Sequence, residues 1–400
     1  MNPGFLNLPP WRGKLRDWLR DMGLTELAQA PVLNAEDLDH GWQSLESEDF
    51  LRSVSVGFHV DGGRLPAQWP EVVITSDPQI AGKRLLSTNS LPVGVRGAIG
   101  GNHPLLDLFS RGTYQKPPQR LISISDGVVN FILAEMESRN LSLEEALQEA
   151  QWQNLAPGNP TRHLHGIFSR DRLALLASIL FEAKIPASSI ETEGLTRIDR
   201  RDIVISQRIG FNIRLLGVVE KHPEGLEAWV RPCLIPDRYL LSQVRGKMEA
   251  GYIQRENQLP IIFTGPGSSW EVSMQGMLRD WDSWKKQESF GYEPLHELPL
   301  LHSDDVLASY YMRISFMNSG STISQIMNVF SENGLEIQNL IQAEDVNSVV
   351  SVDPVSELIF FSRSISGASL KKNLKIIREQ VKLASVKSVY RYETSVTRRI

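Results

Sequence analysis

The strongest constraint on the fold lies in residues 310–400, where strand and helix patterns alternate in a fixed order. The segments "YYMRISF", "LEIQNLIQAE", "ELIFFSRS" and "VKSVYRYET" are rich in β-branched and aromatic residues, which is typical of strands. In "STISQIMNVFSENG", helical spacing relates Ile323, Ile326, Met327 and Phe330. A second helical pattern, "GASLKKNLKIIREQV", precedes the last strand. The order βαββαβ predicts a ferredoxin-like unit.

Residues 91–285 have the pattern of a mixed α/β unit. A Gly-rich turn, "VGVRGAIGGNHPLL", is followed by a strand in "QRLISISDG" and a helix in "NFILAEMESRN". Ser142 and Glu145 form a capping-box pattern that predicts the start of another helix. A short helix running into a strand is expected in "RRDIVISQRIGFNIRLLGVVE", and further strands in "LEAWVRPCLI" and "LPIIFTG". The polar residues 286–309 are predicted to be a linker.

Residues 1–90 are the least regular part of the sequence. The segments "EVVITSD" (71–77) and "KRLLSTN" (83–89) are interpreted as strands with too little chain between them for a helix. No G-x-G-x-x-G pattern occurs near the start, and "NPGFLNLPPWRG" places two prolines where a phosphate-binding loop needs backbone N–H groups. We therefore expect a truncated, degenerate nucleotide-binding region.

Composition sets the outer limits on function. The 400 residues suffice for two or three domains, and a net charge of −5 does not indicate a nucleic-acid partner. The single cysteine, Cys233, excludes a disulfide framework within the chain and is interpreted as a small buried residue in a reducing, cytoplasmic protein. No membrane span or signal-peptide core is predicted. A basic amphipathic pattern, interpreted as packing on the protein's own body, includes Trp11, Leu15, Trp18 and Leu19.

The segment "GIFSRDRLALLAS" (166–178) predicts an amphipathic helix. Its buried stripe comprises Leu173, Leu176, Ala177 and Leu180. Phe168 and Arg172 are four residues apart and share a face near the helix start, where the helix dipole disfavours a cation. The pair is either a packing feature or the remainder of a chemical site.

From about residue 81 to residue 400, the chain resembles the homoserine dehydrogenase family, including its C-terminal ACT regulatory domain. The resemblance is carried by "AGKRLLSTN", "SDGVVNFILAEM", "NPTRHLHG", "EGLTRIDRRDIVISQRIGFNIRLLGVVE", "VRPCLIP" and the "GPG" at 265–267. It implies NAD(P)-dependent interconversion of aspartate semialdehyde and homoserine, on the route to threonine and methionine. The first 80 residues match poorly.

The resemblance implies a fold of three parts joined by a linker. These are a reduced Rossmann-like region (1–90), a mixed α/β homoserine dehydrogenase-like catalytic and dimerisation domain (91–285), and a C-terminal ferredoxin-like ACT domain (310–400). Residues 286–309 are the linker. The fold class is therefore α/β combined with α+β.

The reaction needs a carboxylate for the substrate ammonium and a proton donor for the developing alkoxide. The family's lysine in "TANK" falls on Ser90, and its aspartate and lysine on the central helix fall on Phe168 and Arg172. Arginine keeps a lysine's charge, but its pKa is too high for ready proton transfer. No convincing catalytic residue remains at these family positions.

Other family positions are assigned more weakly. The substrate-pocket equivalents are Asp126, Asn130, Asn159 and Thr161; the weak cofactor positions are Asn89, Gly265 and Gly267; and the weak effector positions are Asn318 and Gly320. The family's cation-site glutamate falls on Arg96, so no metal is expected. His163 and His165 lack an acidic or cysteine cluster and are assigned to a solvated loop rather than a metal pair.

We expect a catalytically impaired family member that acts as a regulatory or scaffolding homologue, with no cofactor. A homodimer, or a heterodimer with an active relative, is expected to cover the sheet edges of "YYMRISF" and "VKSVYRYET". An amino-acid effector is an additional candidate partner, whereas nucleic acid and membrane are not expected. Two alternatives remain: an active NAD(P)-dependent homoserine dehydrogenase with a rearranged site, and an amino-acid-sensing ACT protein.

Overall fold

A computed structural model gives the fold of most of the chain. It describes residues 2–6, 12–33, 44–45, 47–60, 70–87, 92–100, 106, 117–267, 269–288, 292, 294–317, 320–342 and 355–393. The helices in these ranges are α1 (Arg12–Asp21), α2 (Thr25–Ala28), α3 (Ser47–Ser53), α4 (Pro78–Leu85), α5 (Gly127–Arg139), α6 (Leu143–Trp152), α7 (Thr161–Leu164), α8 (Ile167–Leu180), α9 (Arg200–Arg208), α10 (Trp270–Lys285), α11 (Gly320–Glu332) and α12 (Gly367–Gln380).

The strands are mostly short in the first quarter of the chain and longer afterwards. They are β1 (Pro3–Phe5), β2 (Val32–Leu33), β3 (Ser44–Leu45), β4 (Val56–His59), β5 (Val72–Thr75), β6 (Val93–Gly94), β7 (Arg120–Ile124), β8 (Glu191–Thr192), β9 (Phe211–His222), β10 (Gly225–Pro236), β11 (Met248–Gln254), β12 (Ile261–Pro266), β13 (Leu300–Leu301), β14 (Leu307–Ala308), β15 (Tyr310–Met317), β16 (Ile337–Gln342), β17 (Val355–Ser362), β18 (Ile365–Ser366) and β19 (Ala384–Tyr392).

The chain divides into two compact units. The first consists of Met1–Pro117, Asp171–Ala187 and Gly265–Glu297, and the second of the remaining segments. The mixture of parallel and antiparallel sheets confirms the predicted α/β and α+β class. No helix in the described ranges is long and apolar enough to cross a membrane.

The first unit contains a six-stranded parallel sheet in the order β3-β2-β1-β4-β5-β6. This is the strand order of a dinucleotide-binding fold. The expectation of a truncated region is therefore wrong for the number of strands. The region is reduced in strand length, because its strands have two to four residues, but not in strand number.

Helix α4 corrects the prediction of a strand at residues 83–89. Asp77 accepts hydrogen bonds from the backbone N–H groups of Gln79 and Ile80, and Pro78 occupies the first helical position. Both are start signals of a helix. Strand β5 ends at Thr75 and the helix begins at Pro78. The helix therefore occupies part of the segment that was predicted to be a second strand.

The second unit is built on a sheet in which β12-β11-β7-β9-β10-β19-β15-β17-β16 are neighbours. Its last four strands follow the βαββαβ order, with the short β18 added, and this confirms the ferredoxin-like prediction. β19 also pairs in parallel with β10, through Cys233 opposite Arg391. Both β15 and β19 are interior strands, so the argument that their edges require a dimer is wrong.

A buried carboxylate fixes helix α9 against the C-terminal strands. Asp202 is 0% exposed, and Arg313 donates from Nε to its Oδ1 at 2.7 Å. The Tyr311 hydroxyl (3.0 Å), the Ser388 hydroxyl (2.8 Å) and the Tyr390 hydroxyl (3.3 Å) donate to the same carboxylate. Burial and the charge of Asp202 raise the pKa of Tyr311 and of Tyr390, so both phenols remain protonated donors.

We predict that Asp202→Asn lowers the free energy of unfolding by about 3 kcal/mol, because breaking a buried ion pair leaves a buried charge without its partner. Urea unfolding followed by circular dichroism measures the loss. Asp305→Asn is the control, since the Asp305 carboxylate is exposed and the described residues offer it no side-chain hydrogen bond or ion pair. Equal unfolding midpoints for the two variants would contradict the proposed role of Asp202.

Candidate active site

The candidate site begins at the start of helix α5. Asp126, 3% exposed, accepts hydrogen bonds from the backbone N–H groups of Val128 (3.1 Å) and Val129 (3.3 Å) through Oδ1. Its other oxygen, Oδ2, lies 2.8 Å from Nδ1 of His163. The same carboxylate thus caps one helix and orients an imidazole.

Two glycines bring His163 to this position. Gly166, between α7 and α8, has φ +73°, a conformation that side chains rarely adopt. A Cβ at Gly194 would lie 2.0 Å from the carbonyl oxygen of Leu164. This close approach lets Leu195 donate its backbone N–H to that carbonyl at 2.7 Å, which holds the end of α7 in place.

An aromatic pair occupies the position where the resemblance implies a carboxylate. The ring of Phe168 packs on the ring of His163, with centroids 4.8 Å apart and planes at 37°. The guanidinium of Arg162 lies 5.9 Å from the centroid of Phe168. A phenyl ring cannot accept a conventional hydrogen bond or balance a substrate ammonium.

Arg172 lies one turn further along helix α8 and is buried, with 4% exposure. Its planar guanidinium differs from a lysine ammonium in shape and in the geometry of its donors. The prediction of an amphipathic helix is wrong, because Ala174, Leu175 and Ser178 are as buried as the predicted stripe. The four stripe residues are at most 7% exposed. They are Leu173, Leu176, Ala177 and Leu180.

The other substrate-pocket equivalents make local structural contacts. Asn130, 2% exposed, donates from Nδ2 to the carbonyls of Val244 (3.2 Å), Gly246 (3.2 Å) and Met248 (3.0 Å). Asn159 accepts a hydrogen bond from the backbone N–H of Thr161 at 3.1 Å, and both residues are exposed. Asp126 therefore contacts helix α7 through His163, whereas Asn130 holds the segment 244–248.

Arg96 carries its own counter-ion. Its guanidinium donates to Asp280 Oδ1 at 2.6 Å, and its backbone N–H donates to Oδ2 at 2.8 Å. Arg96 is 6% exposed and Asp280 is 0% exposed. A Cβ at Gly94 would lie 2.7 Å from the Asp280 side chain, so a glycine is needed for this close approach. The positive charge of Arg96, at the position that the resemblance assigns to a cation site, is therefore paired with Asp280 inside the protein.

The weaker positions divide into two groups. Asn89, Ser90 and Asn318 lie outside the described residues. Gly265 is at the end of β12, Gly267 precedes the Ser269 cap of helix α10, and Gly320 begins helix α11. Within the ranges that the structure covers, no group of three or more histidine, cysteine or acidic residues could hold a metal ion.

The contact between His163 and Asp126 is a feature of the candidate site that the sequence analysis does not predict. His163 had been assigned to a solvated loop, but it is on helix α7 with a side chain only 14% exposed, so that prediction is wrong for His163. His165 is exposed. The two partners are 37 residues apart in sequence, and no spacing rule connects them.

The interpretation of Cys233 as an inert buried residue is confirmed. The residue is 0% exposed and sits on the central strand β10. Burial raises the pKa of the Cys233 thiol well above its ordinary value, which keeps the reactive thiolate scarce.

Comparison with known proteins identifies the family. The homoserine dehydrogenase family model matches residues 104–281. The homoserine dehydrogenase of Bacillus subtilis is 25% identical over 311 residues, which is 76% of this chain and 71% of that protein. These matches support membership of the homoserine dehydrogenase family.

Solved homoserine dehydrogenases share the fold. One from Thiobacillus denitrificans has a TM-score of 0.84 at 21% identity, covering 98% of this chain and 97% of that chain. A hyperthermophilic archaeal homoserine dehydrogenase mutant in complex with NADPH has a TM-score of 0.54 at 15% identity, covering 72% of this chain and 98% of that chain.

We predict that Asp126→Ala lowers the free energy of unfolding by about 2 kcal/mol, because the helix cap and the imidazole contact are both lost. Asp126→Asn keeps a capping oxygen and loses about 1 kcal/mol less. Ser142→Ala removes a cap alone, since Ser142 accepts from the Glu145 N–H in a capping box, and costs about 1 kcal/mol. Urea titrations compare the three variants, and equal losses for Asp126→Ala and Ser142→Ala would exclude a contribution from His163.

Proposed function

We propose that this homoserine dehydrogenase-family protein of the aspartate pathway does not interconvert homoserine and aspartate semialdehyde. It acts instead as a regulatory or scaffolding homologue. The observation that carries the proposal is Phe168, packed on His163 while His163 is held by Asp126.

The chemistry of the reaction supports this proposal. Hydride transfer to or from the substrate carbon requires a group that handles the alkoxide proton, and a carboxylate that balances the substrate ammonium. Phe168 supplies neither. Arg172 presents a planar guanidinium where the resemblance implies an ammonium, and Ser90 in the sequence replaces a cation with a hydroxyl. The loss of groups that act together is severe and non-additive.

The expectation that no cofactor binds has lost its main support, because the six-strand order of the first unit is that of a dinucleotide fold. The sequence between β1 and α1 does not have the pattern of a phosphate-binding segment. This stretch, "LNLPPWR", has no glycine and includes Pro9 and Pro10, which remove two backbone N–H donors. NAD(P) would supply or accept the hydride if it were bound. The sheet order therefore favours a second candidate function, an active NAD(P)-dependent homoserine dehydrogenase with a rearranged site.

The partners remain part of the proposal. A homodimer, or a heterodimer with an active relative, would give a catalytically silent chain a scaffolding role. The ferredoxin-like C-terminal unit is proposed to be an ACT domain that takes an amino-acid effector. A cytoplasmic location fits this metabolic role.

We expect no oxidation of homoserine above background with NAD or NADP. The measurement follows the nicotinamide absorbance of the purified full-length chain at saturating homoserine. Turnover in the ordinary enzyme range of about 1–1000 per second would establish the second candidate instead. A parallel fluorescence titration with NADPH separates loss of chemistry from loss of nucleotide binding, because a chain that binds NADPH without turnover has lost only the chemistry.

The double change Phe168→Asp and Arg172→Lys is expected to leave turnover at background, since Ser90 is unchanged. It should also lower the free energy of unfolding by about 1–3 kcal/mol. The new carboxylate would face His163, which already contacts Asp126, so two like charges would share one imidazole. Phe168→Leu with Arg172→Lys is the matched control that adds no charge. A double mutant as stable as this control that oxidises homoserine would refute the proposal.

A further inference from the structure

A pocket in the second unit lies away from the candidate active site. It has a volume of about 340 Å³ and lies between strand β10, helix α12, strand β19 and the segment that follows β8. Neither Phe168 nor Asp126 lines it. The pocket is therefore not explained by the proposed function.

Two arginines form the inner wall of the pocket. Arg231 and Arg391 lie over the ring of the buried Trp229, at 5.3 and 5.0 Å from its centroid. Arg391 is 4% exposed, and its Nη2 lies 2.8 Å from Glu227 Oε1. Arg231 donates from Nη2 to Glu191 Oε2 at 3.1 Å and to the Ser303 hydroxyl at 3.3 Å.

Each of these arginines has one buried N–H donor without an acceptor in the part of the chain that the structure describes. The Nε atoms of Arg231 and Arg391 have no hydrogen-bond partner among the described residues. A buried N–H without a partner costs free energy, and an arginine presents its donors as a planar fork suited to phosphate and carboxylate oxygens.

Three further cations surround the opening. Arg197, Arg378 and Lys387 line the pocket, are exposed, and belong to no ion pair in the described part of the chain. They come from three different segments: the loop after β8, helix α12 and strand β19. The three positive charges therefore face one space. They are not spread along a single solvated face of one helix.

The acidic groups of the pocket do not cancel this charge. Its lining includes Glu191, Glu193 and Asp304 beside six basic residues. Glu191 is paired with Arg231, and Asp304 is paired with Lys371 at 2.6 Å. Of the three acids, only Glu193 is left to face the cations at the opening.

We propose that this space, the anion pocket, binds a small organic anion that carries two or more phosphate or carboxylate groups. The inner arginines would form charge-assisted hydrogen bonds with one group, and the exposed cations would hold another. The volume admits a molecule of that size. The site joins strand β10 to the C-terminal ferredoxin-like unit, so a bound anion would tie these two parts together.

Calorimetric titration of the full-length chain tests the proposal. The probes are pyrophosphate and citrate, with sodium chloride holding the ionic strength constant. We expect saturable one-to-one binding of at least one probe. Pyrophosphate alone would identify a phosphate ligand, and citrate alone a carboxylate ligand.

Paired variants locate the binding. Arg378→Gln with Lys387→Gln removes two exposed cations of the pocket and should weaken binding about tenfold. Lys372→Gln with Lys382→Gln removes the same charge from exposed positions that do not line the pocket, and should leave the affinity unchanged. The proposal is overturned if neither probe gives saturable heat, or if both variant pairs weaken binding equally. The readout does not depend on turnover, so its outcome is separate from that of the proposed function.

Discussion

The buried carboxylate of Asp202 is the interaction on which the organisation of the second unit depends. It receives donors from β15 and β19 while its own backbone belongs to helix α9. Arg313, which also donates from Nη1 to Glu357 at 3.0 Å, cannot leave this position without stranding a buried charge. Helix α9 and the C-terminal sheet therefore hold one relative position, and strand β10 continues the same sheet. The anion pocket is formed beside this arrangement, where strand β10 meets strand β19 and helix α12.

The described contacts of the candidate site include several that stabilise the scaffold. Asp126 still caps helix α5, and Asn130 still holds the loop that includes Gly246. These contacts stabilise the scaffold whether or not a reaction takes place. The ring of Phe168 packs on His163 beside them. These contacts alone are therefore compatible with either an active or a silent chain.

Sequence patterns predicted the elements whose periodicity extends over several residues. The C-terminal strands and helices are of this kind. The sequence patterns of β15 and α11 are long enough to distinguish a strand from a helix. The six-stranded parallel sheet was missed because strands of two to four residues carry no measurable period. Helix α4 was missed although its signals, Asp77 and Pro78, are present in the sequence. The contact between His163 and Asp126 could not be inferred, because it depends on a turn at Gly166 and a close approach at Gly194.

The parallel pairing of β10 with β19 has a consequence for how this protein could have evolved. One edge of β10 is shared along its length by β13, β8 and β19. A regulatory unit attached only through a flexible connection can be exchanged between proteins by recombination, because nothing but the connection must match. Here an incoming unit would have to present a strand of the right register and a donor set that satisfies Asp202. The C-terminal unit is thus expected to be inherited together with its catalytic-type partner and to diverge with it, residue by residue.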